Sequence, residues 1–139
     1  MQIKFTVPGE PEGKARPKFN RKTKTAYTPN KTVNYENLIR AEYLRQCSGL
    51  RFADKEPLAM QIMAYYTIPA STSKVKQAAM EAGEIRPTKK PDADNIIKVV
   101  ADALNKLAYR DDADIVLVKL EKYYSRQPRI EVEIKTMEG

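Results

Sequence analysis

Lys90-Pro91-Asp92-Ala93-Asp94-Asn95-Ile96-Ile97-Lys98-Val99-Val100-Ala101-Asp102-Ala103-Leu104-Asn105 is followed closely by a second acidic run, Asp111, Asp112 and Asp114. Aspartate is a poor helix former and a good cap, so Asp92 and Asp94 read as the entry and N-cap of a helix starting near Asn95 and reaching Leu107. Pro91 keeps Lys90 out of that helix, because the residue before a proline is pushed towards extended geometry. At about 100° per residue, Asp94, Lys98, Asp102 and Asn105 share one stripe, flanked by Asn95 and Lys106. The remaining positions are almost all aliphatic. A helix this apolar is mostly buried, so its narrow polar stripe should line something specific.

Working outward, the chain of 139 residues is long enough for one domain (1–139) with a real core. No apolar run approaches about 18 residues and no signal-peptide pattern stands at Met1, so a cytoplasmic protein without a membrane span is expected. Cys47 is the single cysteine, which excludes an intrachain disulfide and a thiolate zinc cluster. Histidine is absent, removing the commonest general base and the commonest transition-metal ligand together. A metal would therefore be held by carboxylates and carbonyls, which suits Mg²⁺, Mn²⁺ or Ca²⁺. The net charge of +7 is concentrated: residues 1–31 hold eight Lys or Arg against two Glu. A basic amino-terminal lobe with an acidic centre suggests a polyanion held at one place and acted on at another.

The secondary structure follows from periodicity. Residues 2–7 alternate with Ile3, Phe5 and Val7 on one face, as do residues 58–68 with Leu58, Met60, Ile62, Ala64, Tyr66 and Ile68. Residues 8–30 contain four prolines and most of the basic charge, and read as a long loop or ragged hairpin. Helices are expected over 32–47 and 71–82, the second capped by Ser71 or Thr72 and ended by Gly83. Strands over 115–124 and 129–136, joined by a short turn, are expected to pair as an antiparallel hairpin. The sum is an α+β fold: a two-layer domain with a mixed or antiparallel sheet of about four strands and two to three helices.

The short link 108–110 leaves two placements for the second acidic run. It lies near the carboxyl end of the central helix, or folds back so that Asp92, Asp94 and one of Asp111 or Asp112 converge. Three carboxylates together repel unless a cation sits between them, and with water and a phosphate oxygen they make a shell suited to Mg²⁺. Lys98, one turn from Asp94, is placed to orient water or neutralise a phosphate. The competing view is an ordinary helix cap with an Asp94–Lys98 pair of roughly 0.2–0.5 kcal/mol.

The run 90–98, then Asp102-Ala103-Leu104-Asn105, then Asp111-Asp112 with Ile115, resembles the signature of the RusA family of Holliday junction resolvases. Pro8-Gly9-Glu10-Pro11, Lys14-Ala15-Arg16-Pro17-Lys18 and Tyr27 are similar to the opening of phage and prophage members. The resemblance implies a homodimeric, Mg²⁺-dependent endonuclease, with Mn²⁺ as the alternative ion, that cuts two opposed strands of four-way junction DNA. It implies Asp92, Asp94 and Asp112 as catalytic carboxylates and metal ligands, Asp111 as a further ligand, and Lys98 as the supporting basic residue of the catalytic set. Asp114 departs from the family pattern, where Gln is frequent. Phosphate contacts are expected from Lys14, Arg16, Lys18, Arg21, Lys22 and Lys24, and Phe19 is a candidate wedge at the crossover. The alternatives from other classes are a non-catalytic basic DNA-binding protein, and a Mg²⁺ nuclease for flaps or forks.

Overall fold

The computed structural model describes residues 1–137, and its strands follow the alternation of the sequence. β1 (Gln2–Pro8) buries Ile3, Phe5 and Val7. The basic segment forms a small two-stranded hairpin of β2 (Lys18–Asn20) and β3 (Thr25–Tyr27), exposed at all six residues. α1 (Asn30–Cys47) follows and turns Thr32, Tyr35, Glu36, Ile39, Tyr43 and Cys47 inward at three- and four-residue intervals. β4 (Leu58–Thr67) buries its even-numbered residues from Leu58 to Tyr66. α2 (Lys74–Glu81), α3 (Ala93–Leu104), a 3-10 turn (Asp112–Asp114), β5 (Ile115–Ser125) and β6 (Arg129–Thr136) complete the chain. Among the described residues no helix is long and apolar enough to cross a membrane.

The four long strands form one mixed sheet in the order β1-β6-β4-β5. The α+β expectation is met, but the expected hairpin is not. β5 and β6 do not pair with each other; β4 lies between them, parallel to β5 and antiparallel to β6. The physical reason is reach. Hopping over one strand spans about 9.6 Å, and four peptide steps from Ser125 to Arg129 extend to roughly 13 Å. A short link is therefore compatible with either partner, and β4, the most buried strand, takes the middle.

α1 and α3 cover one face of the sheet. α3 buries Ile96, Val99, Val100, Ala103 and Leu104 against it, each large aliphatic being worth about 1.5–3 kcal/mol relative to exposure. The helix begins at Ala93 rather than Asn95, which makes Asp92 the N-cap and puts Asp94 in the first turn. An acid there faces the positive end of the helix dipole. It ends at Leu104 because Lys106 turns left-handed at φ 64°, letting the amides of Leu107 and Ala108 bond back to the Leu104 carbonyl at 3.0 Å. α2 is capped one or two residues later than expected, by Ser73, whose hydroxyl accepts from the Lys76 amide at 3.3 Å.

The two sheet edges differ. On β1, the Gln46 carboxamide accepts from the Thr6 amide at 2.9 Å and donates to the Thr6 carbonyl at 2.7 Å, and Cys47 Sγ donates to the Lys4 carbonyl. The end of α1 thus seals that edge as a neighbouring strand would. On β5 the Arg86 side chain bonds the Lys122 carbonyl, but over residues 115–119 no such side-chain bond to the backbone is present among the described residues, and Val116, Leu117 and Val118 are 60, 49 and 41 % exposed.

Candidate active site

Two groups on the sheet hold the approach to α3. The Tyr66 hydroxyl, at the end of β4, donates to the Pro91 carbonyl at 2.7 Å. The Lys122 ammonium, from β5, donates to the Lys89 carbonyl at 2.7 Å and stands 5.0 Å over the Tyr66 ring. Burial pulls the Lys122 ammonium below its usual value, and the charge of Asp92 opposes that. Burial, followed by the negative charges of Glu10 and Asp92, raises the Tyr66 phenol. On the other side of the turn, the Lys14 amide donates to the Asn95 carbonyl at 3.0 Å. Gly13 comes so close that a Cβ there would meet Asn95 Cβ at 2.9 Å and Pro91 Cβ at 3.0 Å. A cleft of about 450 Å³ remains between these parts, lined in part by Glu12, Lys14, Lys31, Lys90, Asp92 and Asn95.

The polar stripe of α3 does not contain the Asp94–Lys98 pair of the competing view. Lys98 reaches one turn onward to Asp102 at 3.5 Å. Asp102 also meets the ammonium of Lys14 at 3.2 Å, and Lys14 in turn meets Glu36 of α1 at 2.9 Å. Burial alone would lower the Lys14 ammonium, but the hydrogen bonds and charges of Glu36 and Asp102 outweigh it and leave it above the usual lysine value. Lys14, counted among the phosphate-contacting residues from its place in a basic run, is turned inward and ties the loop to both helices. Glu36 carries no signal in the sequence beyond being an acid on the buried side of α1.

The second acidic run sits at the far end of α3. Asp114 is buried, receives the Arg110 guanidinium at 2.5 Å and accepts the Lys55 amide at 3.2 Å. The residue that departs from the family pattern thus anchors the turn to Arg110 and to the Lys55 backbone. The Tyr109 hydroxyl runs back to the Ala101 carbonyl at 2.7 Å, and burial, then the charges of Asp112, Asp102 and Asp111, push the phenol above its ordinary range. Asp111 and Asp112 therefore lie near the last turn of α3, which is the first of the two placements left open by the sequence. Asp94 is about 12 Å up the helix from Asp102, and about 23 Å of extended strand separates Ile115 from Lys122, the lysine beside Asp92. Among the described residues no three carboxylates of one chain gather closely enough to hold a metal ion.

Asp92, Asp94, Asp111 and Asp112 nonetheless share a property. Among the described residues none of the four has an ion-pair partner, whereas Asp54, Asp102 and Asp114, the chain's other aspartates, each pair with Arg or Lys. Asp92 does not use its side chain to cap α3 either. The donors are all hard oxygens, and that chemistry fits Mg²⁺ or Mn²⁺. Five exposed cations cluster on and around the β2–β3 hairpin, Arg16, Lys18, Arg21, Lys22 and Lys24, without an ion-pair partner among the described residues; others, such as Lys74, Lys76 and Lys90, are exposed elsewhere on the surface. Phe19, 62 % exposed, stands among them.

The family model for Endodeoxyribonuclease RusA matches residues 8–135. "Uncharacterized protein YqaN" of Bacillus subtilis (strain 168) is 37 % identical over 142 residues, covering 96 % of this chain and 95 % of that one.

Proposed function

This chain belongs to the RusA family of Holliday junction endodeoxyribonucleases, and from that premise we propose that it hydrolyses opposed phosphodiesters of four-way DNA junctions with Mg²⁺. The observation that carries the reading is the contrast among aspartates: among the described residues Asp92, Asp94, Asp111 and Asp112 make no ion pair, while the other three are paired with neighbours. Unpaired acids in a strongly basic protein are consistent with a cation that completes them. Mg²⁺, held by Asp92, Asp94 and Asp112 with Asp111 in reserve, would supply an activated water and stabilise charge on the phosphate.

The protein's own part is positional. Asp92 and Asp94 present their oxygens from a rigid helix start, and Lys98, steadied by Asp102, neutralises a non-bridging phosphate oxygen. Arg16, Lys18, Arg21, Lys22 and Lys24 neutralise flanking phosphates, and Phe19 is offered to unstacked bases at the crossover. Because one chain does not gather its acids, the active form is a homodimer. The open β5 edge with its apolar Val116, Leu117 and Val118 supports it as the interface, since the β1 edge is sealed. Leu117 stands five residues from both Asp112 and Lys122. An antiparallel pairing of two β5 edges about Leu117 would therefore bring Asp112 opposite Lys122 of the partner subunit, towards that subunit's Asp92. Two such sites related by a two-fold match the two-fold of a junction and give paired cuts.

The test is a set of labelled junction, fork, flap and duplex DNAs incubated with and without Mg²⁺. Symmetric paired cuts confined to the junction are expected. Cutting chiefly of flaps or forks would replace the substrate, and metal-independent binding without any nicking would leave a non-catalytic DNA-binding protein.

A further inference from the structure

The Lys89–Pro91 backbone is held from the sheet by two side chains that the proposed chemistry does not use. Tyr66 and Lys122 come from neighbouring strands, β4 and β5, in which Tyr66 pairs with Tyr124 and Ala64 with Lys122. Each donates to a carbonyl of this segment at 2.7 Å, Tyr66 to Pro91 and Lys122 to Lys89. They also brace each other, the ammonium lying 5.0 Å over the phenol ring. Arg86 adds to the arrangement from the segment's own upstream end: its Nε donates to the Lys122 carbonyl, and its guanidinium stacks 3.9 Å over Tyr123. A lysine between Leu120 and Tyr124 occupies the core-facing phase of β5, where an apolar residue would otherwise serve. Its ammonium is used on a backbone carbonyl two residues before Pro91.

We propose that Tyr66 and Lys122 are positioning residues that fix the 89–91 turn from the sheet and thereby set the direction in which Asp92 presents its carboxylate to a divalent cation. This rests on Asp92 being a ligand, as argued above. Outer partners of this kind usually change metal affinity or activity by about 10- to 100-fold when removed.

The experiment compares wild type with Tyr66→Phe, Lys122→Met and Lys122→Arg. Hydrogen exchange of the metal-free proteins is measured over residues 86–95, and junction cleavage is titrated with Mg²⁺. Tyr66→Phe and Lys122→Met should speed exchange in that segment alone and raise the Mg²⁺ needed for half-maximal cutting about tenfold. Lys122→Arg, which keeps a donor and the charge, should recover part of both effects. Unchanged exchange in Tyr66→Phe and Lys122→Met overturns the clamp. Faster exchange with the wild-type Mg²⁺ dependence leaves a purely structural contact and overturns the positioning role. If wild type itself cuts no DNA with any metal, the nuclease reading and the positioning role fall together, while the exchange data still decide whether the clamp exists.

Discussion

An aspartate without a partner is informative only beside aspartates that have one, and this chain offers both. Asp114 and Asp102 are held by Arg110, Lys14 and Lys98, so their loss should read out in folding. Asp92, Asp94 and Asp112 make no ion pair among the described residues, so Asp→Asn at each should leave thermal stability near wild type. Cleavage should fall on the order of a thousandfold, equivalent to about 4 kcal/mol of lost charge stabilisation. Junction binding in a gel-shift assay should be kept or tightened, because a negative charge facing phosphate is removed. Lys14→Met should behave in the opposite manner. It leaves Glu36 inward-facing and unpaired, and chemical denaturation should show a loss of about 2 kcal/mol, less than for a fully buried pair because Lys98 still serves Asp102. Adding Glu36→Gln to Lys14→Met should regain part of that loss. The acids were legible in the sequence because spacing along one helix and one following loop is local information. The inward turn of Lys14 was not, since its partners lie on α1 and on α3 and a run of basic residues does not mark which of them will be drawn into the protein.

Helix and strand positions were legible for the same reason of locality: the buried faces of β1, β4 and β6 are the alternations visible in the sequence. Strand order was not, because pairing depends on which partner completes β4 on its far side, and four peptide steps between β5 and β6 reach equally well to either. The consequence falls on the edges. Gln46→Ala should remove the two bonds that close β1 at Thr6, speed exchange of the Thr6 amide and cost about 1 kcal/mol in denaturation, with cleavage unchanged. Leu117→Glu, on an exposed position of β5, should leave the fold intact but yield a monomer in sedimentation velocity and abolish junction cutting. A dimer that survives Leu117→Glu with full activity would place the interface elsewhere.

For the molecule as a whole, the separation of Asp92 from Asp112 can be tested by mixing. Asp92→Asn and Asp112→Asn are each inactive alone, but a mixed dimer restores one intact site if the acids meet across two chains, and nicks of one strand should appear. If each site were built within one chain, the mixture would stay inactive. Binding should weaken with salt at a logarithmic slope of roughly 4 to 5 per protomer, for the five exposed cations of the hairpin region. The unequal edges of the sheet have one last effect. A protein with two open strand edges is bifunctional in the sense of polymer chemistry and can grow without limit. With Gln46 and Cys47 bonded to β1, a coupling through β5 of the kind proposed would use the single reactive end, and step growth from such a unit would stop at a pair instead of running on into a fibre.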